Sequence, residues 1–143
     1  VEALLQLPVD PDAVDRVGLT PLMFASFAGH IAVARLLLEA GAEKDLSDNR
    51  GRTALMHAAH ACRVDAVQLL LEASADKDVC DTDGQTALML AAQRGHSQAV
   101  QLLLQAGAQK DLWDHEGKTA LMLATQVHDL ESQRLLLEAG AST

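Results

Sequence analysis

The chain repeats itself every 33 residues. Gly18, Gly51, Gly84 and Gly117 fall in step, as do Thr20, Thr53, Thr86 and Thr119, and Leu22, Leu55, Leu88 and Leu121. No insertion or deletion interrupts the register. A fixed period of this length means one supersecondary unit copied in tandem, which cannot bury its apolar face alone and must stack on its neighbours. The period predicts a single domain over residues 1–143. It divides into a partial repeat, 1–14, and repeats 15–47, 48–80, 81–113 and 114–143. Residues 81–113 are the most regular copy.

Each unit spells out its own local structure. In the first, Gly18 suits a turn that a residue with a Cβ makes poorly. Thr20 is a helix N-cap and Pro21 a first helical residue. Leu22, Met23, Ala25 and Ser26 give a narrow face whose small members let a second helix approach closely. Gly29 is placed to end this helix in a left-handed cap. A second helix is predicted over Ile31–Ala40, with Ile31, Ala34, Leu37 and Leu38 on one face and Gly41 ending it. Glu43 to Asn49 then read as an extended, charged connection to the next Gly-x-Thr. The partial repeat places Ala3, Leu4 and Leu5 in register with Leu36, Leu37 and Leu38, and predicts a short helix over Val1–Leu7 ended by Pro8.

Two copies depart from the plan. In repeat 2, Cys62-Arg63 stands where Gly29-His30 stands in repeat 1, and Ser74 replaces Gly41. Two helix ends there lose the residue that takes positive φ cheaply, at about 1 kcal/mol each. Repeat 4 has His128-Asp129 at the turn and Ser132-Gln133 where repeat 3 has Ala99-Val100. A polar substitution on an inter-repeat face is what a terminal capping repeat needs, yet Leu135, Leu136 and Leu137 stay apolar. The ends read as those of an array that continues in a larger protein or is covered by something else.

Composition narrows the function classes. Apolar residues make up 49% but aromatics only 2%, so the core is aliphatic. A net charge of −9 argues against general binding to nucleic acid or to an anionic membrane. No apolar run approaches the length of a membrane-spanning helix, and direct membrane insertion is not expected. The N-terminus has neither the basic nor the apolar region of a targeting peptide. The two cysteines, Cys62 and Cys80, are expected at opposite ends of a helix of roughly 13 Å, beyond disulfide reach. Two unpaired thiols fit a reducing compartment, and an intracellular, cytoplasmic location is expected, with an organelle left open.

The full motif is Asp-x-x-Gly-x-Thr-[Pro/Ala]-Leu-Met-x-Ala-[Ala/Ser/Thr], then Gly-His in two copies, then Leu-Leu-Leu-x-x-Gly-Ala in three. It resembles the ankyrin repeat over nearly the whole chain. The resemblance implies an all-α solenoid of stacked helix-turn-helix units with projecting β-hairpin loops. It also implies a non-enzymatic, protein-binding role. One departure is systematic: where the family's Thr-Pro-Leu-His carries a histidine, this chain has Met23, Met56, Met89 and Met122, its only methionines. A thioether ladder for a soft metal is one reading. Adaptable filling of an aliphatic core is the other, and the flanking leucines favour it.

No constellation of catalytic type emerges. His57, His60 and Cys62 lack a second pair of ligands at tetrahedral-site spacing and are expected as surface polar residues. There is no Ser-His-Asp order, phosphate-binding glycine loop or paired-carboxylate motif. Neither a metal nor a cofactor is expected. His30 and His96 belong to Gly-His turns, which the resemblance assigns to structure.

In ankyrin proteins partners are mostly bound by hairpin tips and the exposed end of the first helix. Carried over, repeat 1 offers Arg16, Val17, Leu19, Phe27 and Ser47, and repeat 2 offers Asn49, Arg50, Arg52, His60 and Cys80. Repeat 3 offers Asp83, Gln85, Gln93, Arg94 and Trp113, and repeat 4 offers His115, Glu116, Lys118 and Gln126. Of these, Arg16, Leu19, Phe27, Arg50, Arg52, His60, Gln93, Arg94, Trp113 and Lys118 are the expected partner-binding residues. The cations predict a partner segment of acidic or mixed charge. Trp113, at a hairpin with little core beneath it, is expected to be exposed; a buried indole is the alternative. The expected function is a scaffold, adaptor or complex subunit, with a regulatory segment of a larger enzyme or channel as the second reading.

Overall fold

A computed structural model describes residues 14–141. The helix expected over Val1–Leu7 lies outside the described residues. Within them are four helix pairs: α1 Pro21–Ala28 with α2 Ile31–Glu39, α3 Ala54–His60 with α4 Val64–Glu72, α5 Ala87–Gln93 with α6 Ser97–Gln105, and α7 Ala120–Gln126 with α8 Leu130–Glu138. First helices stack α1 on α3 on α5 on α7, and second helices α2 on α4 on α6 on α8. Each helix packs on its own partner and on the neighbouring repeats, giving two parallel layers with the core between them.

The start of every first helix follows from one threonine. Thr20, Thr53, Thr86 and Thr119 each accept a hydrogen bond through Oγ1 from the backbone N–H three residues on, at 3.2, 3.4, 3.3 and 3.3 Å. The donor is the methionine in each case. Met23 also returns a bond, its Sδ accepting from the Thr20 N–H at 3.5 Å. This closes a capping box in which a weak thioether acceptor takes the place of the usual carboxylate or amide.

The same methionines fill the seams between repeats. Met23, Met56 and Met89 are each 1% exposed, whereas Met122, in the last described repeat, is 45% exposed. Position for position the residue is the same; only the following layer differs. Leu22, Leu55, Leu88 and Leu121 are buried beside them, with Ala25, Ala58, Ala91 and Ala124 at the close helix contacts. In α2, Ala34 and Leu37 are buried while Ile31 and Leu38 pack at the margin of the core. That helix ends at Glu39, with Ala40 as its cap, one residue earlier than expected.

The left-handed turns are kept even where glycine is lost. Gly29 has φ 79°, and its counterparts Cys62 and His128 both have φ 58°; Ser74, the counterpart of Gly41, has φ 66°. Packing of the flanking helices therefore holds three residues with a Cβ in a conformation that each adopts at a cost. The sequence pointed to two of these positions, both in repeat 2; His128 is the third.

The connections project as hairpin turns, each closed by a main-chain bond from the opening aspartate N–H to the carbonyl four residues on; among the described residues one bridge, between Trp113 and Thr119, is added. Two expectations need correction. The segment from Glu43 to Asn49 contains a turn at Lys44-Asp45 instead of running extended throughout. Finally, Ser132 does not present a polar outer face. It is 0% exposed, and its hydroxyl bonds the Asp129 carboxylate. The outer face of repeat 4 instead exposes Met122, Val127, Leu130 and Leu137.

Candidate protein-binding surface

Every hairpin turn is organised by the aspartate that opens its repeat. One carboxylate oxygen accepts from the backbone N–H two residues on and from the one four residues on. These are Val17 and Leu19 for Asp15, Arg50 and Arg52 for Asp48, Asp83 and Gln85 for Asp81, and Glu116 and Lys118 for Asp114, all at 2.9–3.0 Å. This is the Asx-turn chemistry that lets a short acid fold the chain back on itself. Successive turns are then joined main chain to main chain. Asn49, Thr82 and His115 donate to the carbonyls of Val17, Arg50 and Asp83 at 3.0, 2.9 and 3.0 Å. The tips form a braced row rather than independent loops.

The second oxygen of the aspartate looks across the seam. Arg52 Nε donates to Asp81 Oδ2 at 3.2 Å, and Gln85 Nε2 to Asp114 Oδ2 at 3.4 Å. Their counterpart in repeat 1 is Leu19, whose side chain has no donor. Asp48 is paired from within its own repeat, by His57 Nε2 at 2.8 Å. His57 is therefore a half-buried structural partner, not a surface polar residue. Its pKa is lowered, chiefly by burial; the Asp48 carboxylate opposes this, and Arg52 and Arg50 add to it. For Asp48 burial acts upward, but the Arg52 and Arg50 amides and His57 together bring its pKa below the usual value. Among the described residues no group of three His, Cys, Asp or Glu is arranged to hold an ion.

A third set of bonds links the turns at the far end of the first helices. Arg63 Nε donates to the Phe27 carbonyl at 2.9 Å, and His96 Nε2 lies 3.1 Å from the His60 carbonyl. His96 therefore has the structural role expected of it.

These networks sort the expected partner-binding residues into two groups. Arg16, Arg50, Phe27, Arg94 and Trp113 are exposed, with Trp113 at 71% and Phe27 at 48%. Phe27 also packs edge-on to the His57 ring, with centroids 6.3 Å apart. The others are engaged within the scaffold. Arg52 has an 11% exposed side chain on the Asp81 carboxylate. Gln93 Oε1 accepts from Gln85 at 3.0 Å. Leu19 packs against the core, and Lys118 lies 3.4 Å from Glu116. His60 is half-buried, and its pKa is lowered by burial first and then by the charges of Arg94 and Arg52. That places it in a cationic neighbourhood shared by repeats 2 and 3. Gln126, the fourth-repeat position on this row, is exposed.

Sequence reasoning passed over Phe24, which is 60% exposed. Its counterparts are covered, His57 half-buried and Leu90 and Leu123 buried. Val14, Leu19, Phe24 and Val33 line an apolar depression at the N-terminal end of the described stack. Cys80 is exposed at the position of Ser47 and Trp113. Its thiol pKa is raised by burial and by the charges of Asp81 and Asp78, which keeps it protonated and weakly nucleophilic.

A stack of helix pairs at a 33-residue period, with braced turns projecting from one edge, defines a repeat solenoid of the kind built for surface recognition. The family model for ankyrin repeats, which spans three copies, matches residues 1–79 and again 61–143, and the chain belongs to the ankyrin-repeat family. The search of curated proteins returned no match. Ankyrin repeats are protein–protein interaction modules, and the domain is a non-catalytic interaction fold. Among the described residues no helix is long and apolar enough to cross a membrane.

Proposed function

We propose that this chain is a non-enzymatic binding module, a scaffold, adaptor or subunit, that engages a protein partner along its hairpin tips and the exposed ends of its first helices. The observation that carries this reading is Trp113, 71% exposed on a turn fixed by its bridge to Thr119. A rigid, exposed indole contributes more to an interface than almost any other side chain, and arginine is the other enriched type. Arg94, exposed at the cap of α5, supplies it. Its planar fork suits a partner carboxylate or carbonyl. Because the tips are braced by hydrogen bonds between repeats, little ordering entropy is lost when they bind.

The test is a comparison of variants in an assay for bound protein. Trp113→Ala and Arg94→Ala are expected to weaken partner binding roughly tenfold or more each. Arg35→Ala, exposed on α2 in the other layer, should leave it unchanged. Equal binding by all three variants would place the interface elsewhere.

A further inference from the structure

We propose that the hairpin tips form a charge-ordered track for an extended segment of a partner protein, acidic where it crosses repeats 1 and 2 and basic where it crosses repeats 3 and 4. This rests on the partner-binding reading and adds an order to it. The opening aspartate recurs in every repeat, so it contributes the same charge to each turn. The variable tip residues differ in sign: Arg16 and Arg50 in the first two repeats, Asp83 and Glu116 in the next two, all four exposed. The order is built in, because the Asx turns and the main-chain bonds between turns hold each tip in sequence along the row. Of the neighbouring cations, Arg52 is held by Asp81, and Lys118 lies 3.4 Å from Glu116 while leaving that side chain 73% exposed. Arg94 belongs to the second row, at the end of α5.

Packed helices lie about 8–10 Å apart, so four tips span roughly 30 Å. That is several times the Debye length of about 8 Å at physiological salt, so the two ends of the row act on a partner independently. An extended chain rising about 3.3 Å per residue covers the row with about nine residues. A uniformly acidic segment satisfies only half the track and is repelled by the rest.

The probes are two blocked peptides of about ten residues, made of glutamate, serine and lysine in one composition. In one the charges sit in blocks at opposite ends; in the other they alternate. Each carries a nitroxide quencher at one end or the other, and the signal is Trp113 fluorescence. The block peptide is expected to bind roughly tenfold tighter than the alternating one and to quench Trp113 from its lysine end. The variant Arg16→Glu/Arg50→Glu/Asp83→Lys/Glu116→Lys retains the backbone-anchored turns. It should bind the block peptide as well as the original chain does, with quenching moved to the glutamate end. Equal affinity for both peptides, or equal quenching from both ends, leaves a peptide-binding face and overturns the charge order. Binding of neither peptide overturns the order and the face together.

Discussion

At the scale of single residues, much of the sequence's charge belongs to the scaffold. Asp15, Asp48, Asp81 and Asp114 each fold a turn through one oxygen, and the last three use the other to engage Arg52, Gln85 or His57. Arg52 shows how a residue type can mislead. Its position is a tip position, and arginine there reads as a hand held out to a partner. Yet its side chain lies on a carboxylate that is itself 1% exposed. Removing it leaves a buried acid without its charged donor, although the turn amides still bond that acid. Arg52→Ala is therefore expected to destabilise the fold by about 2 kcal/mol, read as a lower urea midpoint with an unchanged slope. An unaltered midpoint would show the pair to be dispensable. The sequence could not separate Arg52 from Arg50, because only the path of the turn decides which arginine reaches the next repeat's aspartate.

At the scale of elements, the helices were legible almost residue by residue, since threonine caps, glycine stops and the leucine pattern all agree. The turns were less so. Ser74 and Cys62 lose glycine without losing the glycine conformation, so the helices they join impose it. Returning glycine at such a site removes the steric cost and adds some unfolded-chain entropy. Ser74→Gly is expected to raise stability by roughly 0.5–1 kcal/mol, seen as a higher urea midpoint. A fall would mean that the serine side chain contributes more than its backbone costs. The hairpin loops were legible only through the family resemblance: their bonds are Asx turns, main-chain bonds within each turn and single links to the next repeat, a pattern that apolar periodicity does not announce.

At the scale of the whole molecule, the fold follows from one number, the period. The period also explains what the sequence could not show. It marks Leu22, Met23 and Ala25 as core because they recur, and marks the remaining positions only as variable. Among those, residue type alone does not set exposure: Met122 is open where Met23, Met56 and Met89 are sealed. The candidate surface is thus the part of each unit that stacking leaves over, and Trp113 is its most prominent residue. With a single Trp and no Tyr in the chain, its fluorescence reports on that surface alone. The most direct test is acrylamide quenching of Trp113 in the free chain and in its complex with a partner. The account predicts quenching close to that of a free indole before binding, and a clear loss of quenching with a blue-shifted emission once the partner is bound. An indole already shielded in the free chain, or one equally quenched in the complex, would contradict it.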